Sequence, residues 1–374
     1  MYLVYFSPVP WTSFSQRPQK FVQWFHRRFG GDVLWVDPYP GRLPRVGDLI
    51  GAASAGGAVE SSTPSWLRVV PVDSLPVEPL PLANRINRWL WAGAVAQIES
   101  FVLRHRDSLL IGVGKPSRLV LDVIAEHPGL PVLYDAMDDF PSFYAGISRW
   151  SMARIESVLV RRADIVWCSS RQLGDRLSSV GAKPRLVPNA LDIDMLPEVT
   201  SPGAGRAGRR IFGYVGTIGA WFDWSLVLAL AELFPDDVVR LVGPLHGPKP
   251  VGCPGNIEFL PPCSQRDAIG HMTRFDVGLI PFRQTALTAA VDPVKYYEYR
   301  GLGLPVLSTR FGEMAGRGHE AGVFIVSSLG DLVDASRKAL GFSASADEIL
   351  AFRRNNCWDG RFDRGWDGVG PEGE

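Results

Sequence analysis

The densest run of chemically useful residues is Asp292-Pro-Val-Lys-Tyr-Tyr-Glu-Tyr-Arg-Gly-Leu-Gly-Leu-Pro-Val306. Pro293 suits the first turn of a helix, because its φ is fixed and it has no amide donor to waste. Lys295 and Glu298 stand three residues apart and share one helical face. Gly301 and Gly303 end the helix, and Pro305 leads into a strand. The first amides of such a helix favour phosphate, and Lys295 adds a full positive charge beside them. Glu298 can accept a pair of hydrogen bonds from a ribose diol. On composition alone, a solvated Lys–Glu pair on a surface helix is the commoner reading.

Four further segments carry polar or conformational signals. Ile211-Phe-Gly-Tyr-Val-Gly-Thr-Ile-Gly-Ala-Trp-Phe-Asp223 has the shape of a strand, a glycine loop and a helix. Gly216, Thr217 and Gly219 lie on the loop, where missing side chains let a backbone approach a phosphate closely. A tight strand-to-helix turn explains the same glycines equally well. Asn256-Ile-Glu-Phe-Leu-Pro-Pro262 and Asp276-Val-Gly-Leu-Ile-Pro-Phe282 read as core strands; only their ends, Pro261, Pro281 and Phe282, are site candidates. Arg283 follows as a second source of positive charge. Val132-Leu-Tyr-Asp-Ala-Met-Asp-Asp-Phe140 runs from a strand into three carboxylates. A carboxylate at a strand's carboxyl end, such as Asp138 or Asp139, could take a proton from an attacking hydroxyl; a helix cap or turn former is the alternative, and it is the reading for Asp135.

The elements that must hold these residues alternate. Strands are expected over 2–6, 33–36, 67–70, 108–112, 131–134 and 165–168, with helices over 17–29, 82–103, 117–126, 147–162 and 171–179. After a linker over 198–208, a second series has strands over 210–215, 238–242, 257–260, 277–280, 306–308 and 323–326. Its helices fall over 223–233, 265–272, 294–300 and 329–340. Alternation of this kind implies βαβ units and parallel sheets. The class is α/β: two successive doubly wound, Rossmann-like domains, at 1–198 and 209–345, facing across a cleft. Ligands bind outside the carboxyl ends of the strands in such sheets. Residues 41–78, rich in Gly, Ala, Ser and Pro, read as a loop-rich insertion.

Composition narrows the function. The chain has 374 residues, enough for two to three domains. Its 39 basic residues balance 39 acidic ones, which argues against a nucleic-acid partner. Cys168, Cys253, Cys263 and Cys357 show no C-x-x-C spacing, so neither a disulfide framework nor a zinc site is expected, and the cytoplasm is the expected compartment. Met1 to Phe6 lacks a basic leader and reads as a first strand, not a signal peptide. No bound metal or cofactor is expected. Trp89, Leu90, Trp91 and Val95 precede Arg104, His105 and Arg106. Core packing is the first reading of those tryptophans, and peripheral contact with an anionic membrane is the second.

The 292–306 segment closely resembles the P-x-K-x-x-E-Y-x-x-x-G-x-P-V signature of GT-B glycosyltransferases, in the family-4-like branch that holds bacterial polysaccharide and teichuronic-acid transferases. The resemblance implies that Glu298 binds the ribose of a nucleotide-sugar donor and that Lys295 lies by its diphosphate or sugar. It places Gly216, Thr217 and Gly219 by the diphosphate, and the base near the 260–262 turn. Asp138 and Asp139 fall in a YD-x-x-DD-x motif on the acceptor side. Gln16-Arg-Pro-Gln19 resembles the family's acceptor-side loop, which puts Ser13 and Arg17 there. Arg17 capping its own helix region is the alternative. Val187-Pro-Asn-Ala-Leu-Asp192 resembles the crossover out of the first domain, with Asn189 structural. The resemblance also implies a last helix within 346–374 that returns to the first domain, with Phe352, Trp358 and Phe362 as its docking residues. Much of the family has a second glutamate at the position of Ala290, and an Arg or Lys where this chain has Trp221-Phe222-Asp223.

The implied activity is transfer of a sugar from a nucleotide-diphosphate sugar to a saccharide or lipid-linked acceptor in surface polysaccharide synthesis. Two rivals follow from the same sequence: a nucleotide-sugar 2-epimerase-like isomerase, and a catalytically silent nucleotide-sugar-binding protein, the latter suggested by Ala290.

Overall fold

The computed structural model describes residues 1–41, 63–76, 78–80, 83–199 and 208–367. Most of the expected 41–78 insertion and of the 198–208 linker lies outside the described residues. The chain forms two compact units, residues 1–187 with those from Phe362 onward, and residues 188–361. The sequence had suggested a boundary at 198 and the return at 346. Residues 188–198 and 346–361 belong to the second unit because they bond within it: Leu191 and Trp358 donate backbone hydrogen bonds to Asn356 and Leu191.

The first unit is built on β1 (Tyr2–Phe6), α1 (Arg17–Phe29), β2 (Val33–Val36), β3 (Leu67–Val70), α2 (Ala83–Leu90), α3 (Ala92–His105), β4 (Leu109–Val113), α4 (Arg118–Glu126), β5 (Val132–Ala136), α5 (Gly146–Arg162), β6 (Ile165–Cys168), α6 (Arg171–Ser179) and β7 (Arg185–Leu186). The seven parallel strands run in the order β3-β2-β1-β4-β5-β6-β7. Order reverses beside β1, so the switch point lies between β1 and β4. The single helix expected over 82–103 is two helices that meet at Trp91. Trp91 is buried in the core, as core packing requires, while Trp89 points outward.

Helix α1 shows how local sequence sets an element. The Gln19 side chain accepts the Gln16 amide at 3.2 Å, Pro18 occupies the first turn, and Gly30 closes the helix at φ 71°. Its inward residues Phe21 and Trp24 meet Trp167 of β6 and Phe362, with ring centroids 5.5 to 6.5 Å apart. Phe362 therefore docks in the first unit as expected. Phe352 does not: its ring packs on Tyr296, in the second unit.

The second unit contains β8 (Ile211–Val215), α7 (Trp224–Leu233), β9 (Val238–Val242), β10 (Ile257–Leu260), α8 (Gln265–Met272), β11 (Val277–Ile280), α9 (Val294–Gly301), β12 (Val306–Thr309), β13 (Val323–Val326), α10 (Leu332–Leu340) and α11 (Ala346–Asn355); α12 (Trp358–Trp366) carries the chain out of it. Its six parallel strands are ordered β10-β9-β8-β11-β12-β13. The switch point is between β8 and β11. Two apolar clusters cover the sheet, one centred on α7 and α10 and the other on α8 and α9. Among the described residues no helix is long and apolar enough to cross a membrane.

Candidate functional site

The carboxyl ends of β8 and β11 bring most of the second-unit candidates together. After β8 the chain turns at Gly216, whose φ of 152° is one that side chains rarely allow. The Gly216 amide donates to Val242 O at 2.9 Å, and Tyr214 Oη donates to Thr217 O at 3.0 Å, which fixes the loop from both sides. The Trp221 ring packs against Gly219, where a Cβ would stand 2.7 Å from it. After β11, Phe222 and Phe282 form a short antiparallel bridge across the switch point. Pro281 O accepts the Asp223 amide at 2.7 Å, and the Arg283 amide donates to Trp221 O at 2.7 Å. The Arg283 side chain is exposed at this edge, as is Pro261 at the end of β10.

Two helices begin at this edge, and their N-termini differ. Helix α7 is capped by its own carboxylate: Asp223 Oδ1 accepts the Ser225 and Leu226 amides at 3.1 and 3.4 Å. No side chain caps α9, whose N-cap is Pro293. Pro293 thus stands one place ahead of the first turn that the sequence suggested for it. The first amides of α9 are thus left open beside Lys295, whereas those of α7 are already taken by a carboxylate.

Lys295 Nζ donates to Glu298 Oε2 at 2.5 Å, and both side chains are largely buried. Lys295 also lies close enough to the turn after Pro261 to act on Cys263. Burial pushes that thiol up, Asp267 adds to the rise, and Lys295 opposes it. The 261–263 turn and the start of α9 are thus neighbours. Ala290, where the resemblance expects a second glutamate, is buried.

A network that the sequence reading did not find sets the entry to α9. The Asp292 carboxylate is fully buried and accepts from Asn189 N at 2.8 Å, Tyr297 Oη at 2.9 Å and Arg317 Nη2 at 2.8 Å. Asn189 Nδ2 donates to Asp292 O at 2.7 Å. Burial works against the Arg317 charge, but Asp292 and the tyrosines outweigh it and hold its pKa above the ordinary value. Asn189 is structural, as expected. Asp292 heads the sequence signature and was the available clue; Arg317 had none.

The first-unit candidates separate into two groups. Arg17 is buried and makes a paired contact with Asp135, at 2.9 Å from Nε and 2.6 Å from Nη2, while Nη1 donates to Val187 O at 2.8 Å. Arg17 is thus held inside an ion pair, and Asp135 is an ion-pair partner, not a helix cap. The Ser13 hydroxyl accepts from Gln19 Nε2 at 2.9 Å. Asp139 is held by Ser142 Oγ at 2.5 Å and by Arg176 at 3.2 Å. Half-buried Asp138 is different. Burial raises its pKa to about 7; Arg17 opposes the rise, and Asp135 and Asp139 add to it. Asp138 thus has the titration expected of a base working near neutrality.

No protein-family profile matches the chain. Solved structures match over nearly all of it. Anabaena HepE in complex with UDP-glucose aligns over 99% of both chains with a TM-score of 0.61 and 14% identity. An E. coli trehalose-6-phosphate structure bound with UDP-2-fluoro glucose aligns over 99% of both chains with a TM-score of 0.64 and 10% identity. The chain has the GT-B fold. In sequence, it is 24% identical over 200 residues to TuaH of Bacillus subtilis (strain 168), a candidate teichuronic acid biosynthesis glycosyltransferase. That match spans 48% of this chain and 50% of TuaH, so the GT-B chain described here covers about half the length of its relative.

Proposed function

We propose that this chain is a glycosyltransferase that moves a sugar from a nucleotide-diphosphate sugar to a saccharide or lipid-linked acceptor, in the cytoplasmic steps of surface polysaccharide synthesis. The observation that carries the reading is the Lys295–Glu298 pair on the uncapped start of α9, beside the β8–β11 switch point of a GT-B unit. UDP-sugars are the donor class, by analogy with the UDP-glucose and UDP-2-fluoro glucose bound by the fold relatives.

In this reading the donor diphosphate takes Lys295 away from Glu298 and rests on the first amides of α9, with Arg283 and the Gly216, Thr217 and Gly219 backbone alongside. The freed Glu298 carboxylate accepts both ribose hydroxyls. The base lies by Pro261, with Pro281 and Phe282 shaping the floor. Asp138 takes the proton of the acceptor hydroxyl as that oxygen bonds to the anomeric carbon. The bond from that carbon to the diphosphate breaks, and the departing charge falls on Lys295 and the helix start. Asp139 holds the segment in place through Arg176, and Arg17 and Ser13 shape the acceptor-side loop from within.

The test is to incubate the protein with a UDP-sugar, with and without a saccharide or lipid-linked acceptor, and follow the sugar by NMR. Acceptor-dependent release of UDP with a new glycosidic linkage is expected. Epimerisation of the donor sugar without acceptor, or binding with neither release nor transfer, overturns the proposal.

A further inference from the structure

We propose that the sugar carried by the donor is a hexuronate, and that Arg310 reads its carboxylate. The proposal rests on the donor reading above and names the sugar within it. A cavity of about 240 Å³ opens at the carboxyl ends of β11, β12 and β13, beside the start of α7. Phe282, Leu226 and Val326 give it an apolar lining. It begins at the switch point, where Phe282 bridges Phe222 and the Asp223 amide donates to Pro281 O. Arg283, placed beside the diphosphate, is followed directly by Gln284 of the cavity wall. One water takes about 30 Å³ in the liquid, so the space suits a single sugar ring and not a whole nucleotide.

The polar walls divide into side chains already engaged and side chains left open. Thr309 Oγ1 donates to Phe282 O at 2.5 Å and accepts the Phe282 amide at 3.1 Å, which ties the end of β11 to β12. Thr288 Oγ1 donates to Arg283 O at 2.5 Å and fixes the turn that presents Gln284. The Ser328 hydroxyl donates to Asp331 Oδ2 at 3.1 Å. Asp223 holds the Ser225 and Leu226 amides and the Ser225 hydroxyl. The side chains of Gln284, Arg310 and Ser327 line the cavity, are exposed, and have no partner among the described residues.

Among the described residues Arg310 is the one base of the lining and Asp223 the one acid. A ring seated in the cavity covers the Arg310 guanidinium, and a neutral sugar would leave that charge covered and unpaired, which costs free energy. A carboxylate meets the planar guanidinium through two parallel hydrogen bonds. A phosphate is a poorer occupant, because Asp223 already holds the first amides of α7 and no second cation lines the space. Gln284, which can donate and accept, and Ser327 are left for the ring hydroxyls.

The test measures affinities for UDP, UDP-glucose and UDP-glucuronate by calorimetry, on the full chain and on its Arg310→Gln and Gln284→Ala variants. The wild type should hold UDP-glucuronate about tenfold or more tighter than UDP-glucose, the worth of a charged hydrogen bond. Arg310→Gln should bind the two sugar nucleotides alike, and Gln284→Ala should weaken both. Each variant should keep the wild-type affinity for UDP and the wild-type melting temperature, since neither side chain holds the frame. A wild type with no preference for the uronate, or an Arg310→Gln variant that keeps the preference, would overturn the proposal and leave the donor reading standing. A wild type that does not bind UDP would overturn the donor reading, and this proposal with it.

Discussion

The Tyr299 hydroxyl accepts the Val215 amide at 3.2 Å and so joins helix α9 to the strand end that leads into Gly216. The bond answers a defect of the sheet. Strand β8 pairs with β11 only through Phe212 and Gly213 against Val277 and Gly278. Beyond that point the sheet opens, and the Val215 amide would be buried without a partner. Gly278 makes room for the ring, since a Cβ there would stand 2.4 Å from it. Glu298 and Gly216 each sit one residue from this bond.

Tyr299→Phe keeps the ring and removes the acceptor. It should cost about 1–3 kcal/mol, the penalty of leaving one buried amide unpaired, and should weaken donor binding. Urea unfolding and calorimetry measure the two effects. Unchanged stability would show that water or another group takes over the amide.

Asp138 and Asp139 should part company on substitution. Asp138→Asn should lower kcat/KM by roughly 10²–10⁴, the range for loss of a general base, and remove the acid limb expected of the wild type around pH 7. Asp139→Asn should keep that limb. Stability should move the other way. A carboxyl whose folded pKa is raised from 3.8 to about 7 favours folding while protonated, and that contribution is lost as pH rises through 7. Asp138→Asn should therefore match or exceed the wild-type melting temperature at pH 8. A destabilised variant with an unchanged pH profile would remove Asp138 from the reaction.

Asp292→Ala should be among the most damaging single changes in the second unit. It strands Arg317, Tyr297 and the Asn189 amide together, and breaking a buried ion pair from one side costs about 3–5 kcal/mol. Chemical denaturation of the variant checks the figure. A loss within the surface range would mean that the network relaxes around the gap.

The Asp223 cap gives the opposite expectation. Asp223→Ala should cost about 1 kcal/mol, the usual worth of an N-cap, and leave donor affinity near that of the wild type. A large fall in affinity would show that the α7 start, not the α9 start, receives the diphosphate.

Much of this was legible in the sequence because alternating strands and helices are written in short-range patterns. Periodicity placed β8, β11 and α9 and set Lys295 and Glu298 on one face. It failed where the deciding contact is distant along the chain. Nothing near Arg17 announces Asp135, and nothing near Tyr299 announces Val215. Trp89 and Trp91 look alike in sequence, and only the break between α2 and α3 sends one outward and one into the core. The two aspartates after β5 became distinguishable once Arg176 was seen to hold just one of them.

The most direct measurement compares UDP with its 2′,3′-dideoxy analogue by calorimetry, on the wild type and on Glu298→Ala. If Glu298 grips the ribose diol, the wild type should prefer UDP by about tenfold or more, the worth of a charged hydrogen bond, and the variant should bind both ligands alike. A variant that keeps the wild-type preference would contradict the assignment of Glu298, and with it the donor site built on α9.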